Sequence, residues 1–376
     1  MSVYKIACVI GTRPEALKMA PVILKLSANP NFSVKTILSA QHRELLDQML
    51  KHFAIRIDAD FNIMTPNQNL ADLTAKLLAS FNNCYQEMQP DLVIAQGDTS
   101  TTMVAAMSAF YHKIPFAHIE AGLRTSDIYA PFPEEMNRRV VSQLATLHFA
   151  PTQLAQQNLA REGIKNHVFV VGNTIIDTLY HFSKQFQEPL ELGKKLILTT
   201  CHRRENFGEP LQNICHAMKT LANQRQDIQF IFPVHPNPNV QKYVYSTLAG
   251  IDNIQLTQPL DYIDLVKYLK ASYLVLTDSG GLQEEAPALG KPVLVLREET
   301  ERPEAVFCGA AKLIGTNSRD IIQQITLLLD DSAAYQQMVV GESPFGDGHA
   351  SERISHYIEQ YLLKDKAPQI LATTLL

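Results

Sequence analysis

Short apolar segments alternate with longer amphipathic segments along most of the chain. The short segments are apolar at nearly every position, which is typical of strands buried on both faces of a parallel sheet. The predicted strands are Tyr4–Ile10, Ser33–Leu38, Asp91–Ala95, Pro115–Ile119, Leu147–Ala150, Val168–Val170, Lys195–Thr200, Gln229–Val234, Ile254–Gln255, Tyr273–Thr277 and Pro292–Leu296. Between them, apolar residues recur every three to four positions and predict helices such as Met19–Leu26, Leu45–Phe53 and Leu70–Met88. The alternation predicts an α/β protein.

These strands are too many for one compact sheet, so we predict two Rossmann-like, doubly wound parallel-sheet domains that face a shared cleft. A polar, weakly patterned stretch at 183–195 marks the change from one domain to the next. The predicted domains are residues 1–172, which hold the acidic candidates described below, and residues 173–348. Residues 349–376 are expected to form a last helix followed by a frayed tail.

The charge balance excludes several classes of function. Lysine and arginine total 33 against 38 aspartates and glutamates, a formal charge of −5, which argues against nucleic-acid and membrane-surface binding. No apolar run approaches the ~18 residues of a spanning helix, and Met1–Arg13 lacks the apolar core of a signal peptide. The 5 cysteines contain no C-x-x-C pair and predict reduced, buried thiols. We therefore expect a cytoplasmic protein.

Polar residues gather directly after the predicted strands, where open parallel sheets bind their ligands. The segments are Gly11–Glu15, Gln96–Thr102, His118–Thr125, Cys201–Asn206, His235–Asn239, Asp278–Gly281 and Arg297–Pro303. After Asp278–Gly281 a helix begins, and its free N–H groups suit a diphosphate. Glu285, one turn further, could accept hydrogen bonds from both ribose hydroxyls, although a plain N-cap turn also explains the segment.

Cations and cofactor motifs narrow the choice of ligand. Arg13 and Lys18, near a helix start, suit a phosphate as a pair, with a solvated helix face as the alternative. The chain has neither G-x-G-x-x-G after its first strand nor a G-K-[ST] loop, so nicotinamide and ATP binding are not indicated. Spacing typical of a metal site is also absent from the sequence.

Carboxylates carry the candidate chemistry. Asp98 and Glu120 each close an apolar strand, and Glu134 opens a helix on which Arg138 lies four residues further along. The structural alternative is that Asp98 caps a helix and that Glu134 pairs with Arg138. Several carboxylates near a diphosphate site instead favour acid–base chemistry on a sugar. His202, flanked by Arg203 and Arg204, is expected to face the phosphate.

One family contains these motifs in the same order. They are Gly11-Thr12-Arg13-Pro14-Glu15, Gly97-Asp98-Thr99, His118–Arg124, Pro133-Glu134-Glu135, His202–Glu205, Asp278–Glu285, Thr300–Glu304 and Phe345–Gly348. The chain therefore resembles the non-hydrolysing UDP-N-acetylglucosamine 2-epimerases over roughly residues 4–363. The resemblance implies a GT-B fold, a last helix that packs back on the N-terminal domain, a cytoplasmic homodimer and no cofactor or metal. It also implies interconversion of UDP-GlcNAc and UDP-ManNAc for cell-surface polysaccharide.

The resemblance also implies roles for individual residues. The catalytic positions of the family match Asp98, Glu120, Glu134 and His202. Its substrate-binding positions match Arg13, Lys18, Leu260, Leu265, Ser279, Gly280, Gly281, Glu285 and Arg302, and Arg138 is a further candidate. Gln41 and His235 match a second, activating UDP-GlcNAc site of bacterial members, while Glu44 and Asn67 depart from it. Gln96 stands where a histidine is often found, and Phe132 replaces the usual tryptophan.

The expected reaction expels UDP from C1 while a carboxylate takes the C2 proton, and UDP then adds back to 2-acetamidoglucal. Cations or donors on the leaving diphosphate are assigned to Arg13, His202 and the helix end at 279–281. Three alternatives stay open. A GT-B glycosyltransferase would use the same UDP-sugar cradle, and a hydrolysing epimerase would release ManNAc and UDP. A sensor that binds a UDP-sugar without turnover is a third, non-enzymatic reading.

Overall fold

The structure is a computed structural model that describes residues 3–39, 49–64, 68–186, 193–339, 341 and 343–365. The chain divides into two compact units, each built on one parallel sheet. Unit 1 is Met1–Thr178 with Gly348–Leu376, and unit 2 is Leu179–Asp347. The predicted class, α/β with two Rossmann-like parallel sheets, is confirmed. The domain bounds 1–172, 173–348 and 349–376 stay a prediction.

In the described part of unit 1, seven strands form one sheet, and every pair of neighbours is parallel. The strands are β1 (Tyr4–Ile10), β2 (Phe32–Leu38), β3 (Ala59–Asp60), β4 (Leu92–Gln96), β5 (Phe116–Ile119), β6 (Leu147–Ala150) and β7 (Val168–Val170). Their spatial order is β3-β2-β1-β4-β5-β6-β7. The helices are α1 (Arg13–Ser27), α2 (Leu70–Met88), α3 (Ser100–Tyr111), α4 (Glu134–Leu144) and α5 (Gln153–Arg161), and α6 (Thr174–Ser183) begins in unit 1 and ends in unit 2.

Strand β1 shows why the central strands are apolar throughout. Ile6, Cys8 and Ile10 point to one face and pack in a cluster with side chains of α1, while Ala7 and Val9 point to the other face and pack with α2 and α3. Because side chains alternate along a strand and both faces are covered, each position of β1 from Ile6 onward is buried.

Unit 2 repeats this plan with six described strands, again parallel. They are β8 (Lys195–Thr200), β9 (Ile228–Pro233), β10 (Ile254–Thr257), β11 (Leu274–Thr277), β12 (Val293–Val295) and β13 (Ala311–Leu313), in the order β10-β9-β8-β11-β12-β13. The helices are α7 (Glu209–Gln224), α8 (Pro238–Leu248), α9 (Tyr262–Ala271), α10 (Leu282–Ala288), α11 (Pro303–Phe307), α12 (Ser318–Asp330) and α13 (Ser332–Met338).

The C-terminal helix α14 (Ala350–Gln360) belongs to unit 1 and packs against α1. Asp177 of α6 caps it, because the Asp177 carboxylate accepts hydrogen bonds from the backbone N–H groups of Ala350 and Ser351 at 3.2 and 2.8 Å. A π-helical turn, Tyr361–Asp365, follows α14. Within the described ranges no helix is long and apolar enough to cross a membrane.

Two short strands were not predicted, and one predicted helix is described only in part. Strands β3 and β13 contain 2 and 3 residues and lie at sheet edges, so neither produces a recognisable apolar run. Of the predicted helix Leu45–Phe53, positions 49–53 are described, and 49–52 are helical.

Candidate active site

The loops after β1 and β4 are joined by a buried glutamate, Glu15. Its Oε2 accepts hydrogen bonds from the backbone N–H groups of Gly11 and Thr12, both at 2.6 Å. Its Oε1 accepts from the hydroxyl groups of Thr99 at 2.6 Å and Thr102 at 3.2 Å. Burial raises the pKa of the Glu15 carboxyl, and the hydrogen bonds from Thr99, Gly11 and Thr12 oppose that rise. Sequence reasoning assigned Glu15 no role, although Thr12-x-x-Glu15 is a capping-box signature.

Gly11 makes this close approach of the two loops feasible. A Cβ atom at this position would lie 2.6 Å from the Thr101 hydroxyl oxygen and 2.9 Å from Oε2 of Glu15. The Arg13 side chain, at the first position of α1, is half-buried beside this loop.

Glu120 is the first residue after β5, and its φ of +64° is unusual for a residue other than glycine. Its side chain is buried, and three donors to it lie in the described part of the chain. The Lys18 ammonium lies 2.7 Å from both carboxylate oxygens, the Asn173 amide donates to Oε1 at 3.0 Å, and the Gln96 amide donates to Oε2. Lys18, predicted to bind phosphate, therefore contacts the Glu120 carboxylate in this structure.

Asp98 is held by α4. Arg138 donates from Nε to Oδ2 of Asp98 at 2.8 Å and adds a second contact from Nη2 at 2.7 Å, while the Asn137 amide donates to the Asp98 backbone carbonyl at 2.8 Å. The Asp98 side chain keeps 25% of its surface exposed, so the carboxylate is accessible to a ligand. The arrangement is typical of a carboxylate that is oriented without being sealed off.

The structural alternative in which Glu134 pairs with Arg138 is wrong. The Arg138 guanidinium contacts Asp98 and, at 3.3 Å, Glu135. The Glu134 side chain, half-buried in the first turn of α4, makes no hydrogen bond or ion pair with any residue in the described part of the chain. Glu135 is the buried member of the pair of glutamates and also accepts from Arg139 at 2.9 Å and from the Thr125 backbone N–H at 3.1 Å. Glu134 therefore remains available to a ligand.

His118, next to Glu120 on β5, is buried and orients the loop that carries Asp98. Because a carbonyl only accepts, His118 Nε2 donates to the Gly97 carbonyl, 2.8 Å away. Burial lowers the pKa of His118 to about 3 and that of His148, its neighbour on β6, to about 4. Both imidazoles are therefore neutral at neutral pH.

These depressed pKa values predict an acid-sensitive fold. In the folded protein the pKa values of His118 and His148 lie below the ordinary 6.5, so the unfolded chain binds protons at these two residues more readily. The stability that they contribute is complete above about pH 6.5 and is lost as the pH falls towards 4 and then 3. For wild type we expect the urea midpoint of unfolding to fall between pH 7.5 and pH 5. This decrease should be smaller in His118→Gln and unchanged in the control His52→Gln, where the histidine is exposed. An unchanged slope in the His118 variant would contradict this.

In unit 2, His202 follows β8, and Asp278 follows the neighbouring strand β11. The fully buried Asp278 carboxylate accepts from the backbone N–H groups of His202 at 3.0 Å and Arg203 at 2.9 Å, and from the Asn206 amide at 3.0 Å. It also lies 3.1 Å from His202 Nδ1. The half-exposed His202 ring is thus held through Nδ1, and its Nε2 remains for a ligand. Sequence reasoning treated Asp278 only as a capping residue.

The predicted anion loop, Ser279-Gly280-Gly281, connects β11 to α10. Gly281 is the N-cap of α10, and the Ser279 backbone N–H donates to the Thr277 hydroxyl at 2.9 Å. The Arg203 guanidinium lies beside this loop, since a Cβ on Gly280 would be 3.8 Å from its Nη2. The absence of side chains on both glycines leaves room for an anionic ligand at this turn.

Cations around the same loop are partly neutralised. Arg203 and Arg297 contact Glu301 at 3.1 and 2.7 Å. Burial raises the pKa of Glu301, but these two guanidinium groups outweigh it and bring the pKa down to about 2. Arg302 pairs with buried Glu284, which brings the loop after β12 to α10, where Glu285 is also buried.

The remaining predicted residues lie further along the sheet of unit 2. Leu260 lies between β10 and α9, Leu265 lies in α9, and both are half-buried. His235 follows β9, and its Nδ1 accepts from the Asn237 backbone N–H at 3.2 Å. Gln41, Glu44 and Asn67 lie outside the described residues. Among the described side chains, no group of three or more His, Cys, Asp or Glu is arranged to hold a metal ion.

Two doubly wound parallel sheets, each with polar residues beyond the carboxyl ends of its strands, define a nucleotide-binding α/β protein with two Rossmann-like units. The family model described as UDP-N-acetylglucosamine 2-epimerase matches residues 24–359. The chain belongs to the UDP-N-acetylglucosamine 2-epimerase family.

Individual relatives agree with this assignment. The chain is 46% identical to the UDP-N-acetylglucosamine 2-epimerase of Escherichia coli K12 over 364 residues, which are 93% of this chain and 97% of the relative. The crystal structure of the Neisseria meningitidis UDP-GlcNAc 2-epimerase bound to UDP-GlcNAc superposes with a TM-score of 0.88 at 44% identity, covering 95% of this chain and 100% of that one. The S. aureus MnaA–UDP co-structure gives 0.87 at 44% identity, covering 96% and 97%.

Proposed function

We propose that the protein interconverts UDP-GlcNAc and UDP-ManNAc by eliminating UDP and adding it back to C1 once a proton has reached the opposite face of C2. The observation that carries the proposal is the set of carboxylates at neighbouring strand ends of unit 1, in a chain of the epimerase family. Asp98 and Glu120 are held by cations, and Glu134 has its carboxylate available. No redox cofactor is needed for this route, because the electrons that leave C1 with UDP return with it.

The chemistry explains the need for several carboxylates. The C2 proton has no neighbouring carbonyl to acidify it, so direct deprotonation has a prohibitive barrier. When the C1–O bond breaks, its electron pair leaves with UDP, and the C2–H pair forms the C1=C2 double bond as a carboxylate takes the proton. In the return step a carboxyl group gives a proton to the other face of C2, and a diphosphate oxygen bonds to C1.

We assign the proton transfers and the stabilisation of charge at C1 to Asp98, Glu120 and Glu134. We assign the charge on the leaving diphosphate to Arg13 in unit 1 and to His202 in unit 2. Asp278 orients the His202 ring, because its buried carboxylate lies 3.1 Å from Nδ1. The glycines at 280 and 281 and the N-terminus of α10 support the diphosphate, Glu285 the ribose, and Leu260 and Leu265 the uridine.

Isotope exchange tests this mechanism. In D₂O, turnover of UDP-GlcNAc is expected to place deuterium at C2 of the product, because the abstracted proton exchanges with solvent. With ¹⁸O in the bridge between C1 and the β-phosphorus, the label is expected to scramble into non-bridging positions of recovered substrate. Proton and phosphorus NMR of one incubation record both results. Retention of the original hydrogen at C2, or epimerisation without ¹⁸O scrambling, would contradict elimination.

The same spectra separate the other two activities. A glycosyltransferase would release UDP in proportion to an added acceptor, and a hydrolysing epimerase would accumulate free ManNAc and UDP. An epimerase that retains UDP leaves only the two UDP-sugars at equilibrium, with no net release of nucleotide.

We also propose that the protein works as a homodimer in the cytoplasm. Phe110 and Tyr111, consecutive at the end of α3, are 60% and 63% exposed, which is typical of residues that a partner covers. The free cysteines, three of them buried, suit a reducing compartment. Sedimentation velocity measures the oligomeric state directly, and a monomer at micromolar concentration would contradict the dimer.

A further inference from the structure

The Glu120 carboxylate is held by two neutral amides as well as by Lys18. Gln96, the last residue of β4, donates to Oε2, and Asn173, the residue before α6, donates to Oε1 at 3.0 Å. Both amide side chains are buried, each with 3% of the residue exposed, while the Lys18 side chain is 18% exposed. The carboxylate is therefore held from three different elements of unit 1.

We propose that Gln96 and Asn173 are positioning residues that keep Glu120 ionised and oriented for the reaction. This inference rests on the proposed function, in which Glu120 acts on the sugar. Neither amide is assigned contact with the substrate.

The geometry distinguishes the amides from the lysine. Lys18 supplies a point charge on a flexible stem, and its ammonium is equidistant, at 2.7 Å, from both oxygens, so it sets little direction. The amides are short and buried, and each addresses one oxygen, which fixes the plane of the carboxylate. The backbone supports the same geometry, because the Gly97 N–H donates to the Ile119 carbonyl at 3.0 Å.

The amide donors also stay constant with pH. An amide neither gains nor loses a proton, so the hydrogen bonds that favour the ionised Glu120 persist across the working range. Among the described charged or titratable groups, Lys18 on α1 contacts this carboxylate, and His118 on β5 interacts with it electrostatically. His118 is neutral at neutral pH, and Lys18 is cationic.

Isosteric changes of amide to acid test the inference. In Gln96→Glu and Asn173→Asp, a donor becomes an acceptor that is negatively charged when ionised, while volume is kept. Asn173→Asp also keeps the Oδ1 atom that accepts from the Ile175 backbone N–H at 3.2 Å. A second carboxyl beside Glu120 raises the pKa of the pair, by about one unit or more.

We expect the pH profile of kcat/KM to shift upward by about one pH unit or more in both variants. The upward direction of this shift is the same whether Glu120 acts as base or as acid. As a base it controls the acidic limb of the pH profile, as an acid it controls the alkaline limb, and a higher pKa moves either limb to higher pH. At pH 7 kcat is expected to fall about 10- to 100-fold. Affinity for UDP, measured by calorimetry, should change less than about twofold, because we assign the uridine and most diphosphate contacts to unit 2.

Three further variants complete the design. Gln96→His keeps an N–H donor and is expected to restore kcat to within about threefold of wild type. Exposed Gln157→Glu on α5 makes the same charge change away from the site and should leave the profile unchanged. Gln96→Met removes the donor without adding charge, and it is expected to shift the profile in the same direction should Gln96→Glu fail to fold.

A titration separates this inference from the proposed function. The ¹³C resonance of the Glu120 side-chain carboxyl, assigned with Glu120→Gln, reports its ionisation without any turnover. A higher midpoint in Gln96→Glu supports the inference. If neither the midpoint nor the pH profile moves in Gln96→Glu and Asn173→Asp, the inference is overturned although the enzyme epimerises. If wild type converts no UDP-GlcNAc, the proposed function fails instead, and the titration still decides how the amides act.

Discussion

Asp98→Asn is expected to lower kcat for UDP-GlcNAc epimerisation about 1,000-fold while leaving the affinity for UDP nearly unchanged. The substitution keeps the shape of the side chain and an oxygen that can accept from Arg138. It removes the negative charge and the ability to take or return a proton, which we assign to the sugar step. Because we assign the uridine and ribose contacts to unit 2, nucleotide binding should persist.

The measurement combines steady-state turnover, followed by proton NMR of the anomeric signals, with calorimetric titration of UDP. Asp72→Asn is the matched control, because this substitution removes the same charge from a different carboxylate. Asp72 is exposed and lies in the first turn of α2. The turnover of this control variant should equal that of wild type. Turnover of the Asp98 variant within threefold of wild type would remove Asp98 from the mechanism.

Gly122→Ala is expected to destabilise the folded protein by about 2–5 kcal/mol. Gly122 lies two residues after Glu120, with φ at +91°, and a Cβ there would be 2.2 Å from the Ala155 carbonyl oxygen of α5. The left-handed backbone costs an alanine about 1–2 kcal/mol. The overlap is with backbone, so α5 must shift, which adds about 1–3 kcal/mol.

Gly163→Ala separates these two causes. Gly163 has φ at +85°, but nothing lies within 4 Å of the position of its added Cβ. Only the backbone cost of about 1–2 kcal/mol is therefore expected there. Urea unfolding followed by circular dichroism measures both variants. Equal losses of unfolding free energy at the two positions would show that the contact with α5 has no effect.

Much of the fold followed from local pattern. The long apolar runs matched observed strands closely, and Tyr4–Ile10, Leu147–Ala150, Val168–Val170 and Lys195–Thr200 have the predicted bounds. A strand covered on both faces must be apolar throughout, so these segments are visible without any knowledge of their partners. Strand β13, Ala-Lys-Leu, has no such run, and it is recognised as a strand through its pairing with β12 at the sheet edge.

For the candidate site, the sequence predicted which segments carry the functional residues but not which residues contact one another. The carboxyl ends of parallel strands collect ligand-binding residues by topology, so the segments around Asp98, Glu120 and Asp278 could be chosen in advance. Their partners could not. Local spacing suggested that Glu134 pairs with Arg138, but Asp98, 40 residues away, takes the guanidinium. Local spacing also gave no sign that Gln96 and Asn173 meet at Glu120.

The sequence by itself determined the α/β class, the parallel sheets, the loops that carry polar residues and, through its ordered motifs, the family. These depend on periodicity and on residue identity, which are properties of short segments. Only the tertiary structure decided which donor each carboxylate receives, which glutamate of α4 is buried, and why Gly122 has no room for a side chain. Such contacts join residues far apart in the chain, and many alternative pairings are equally compatible with the local pattern until the sheet brings the strand ends together.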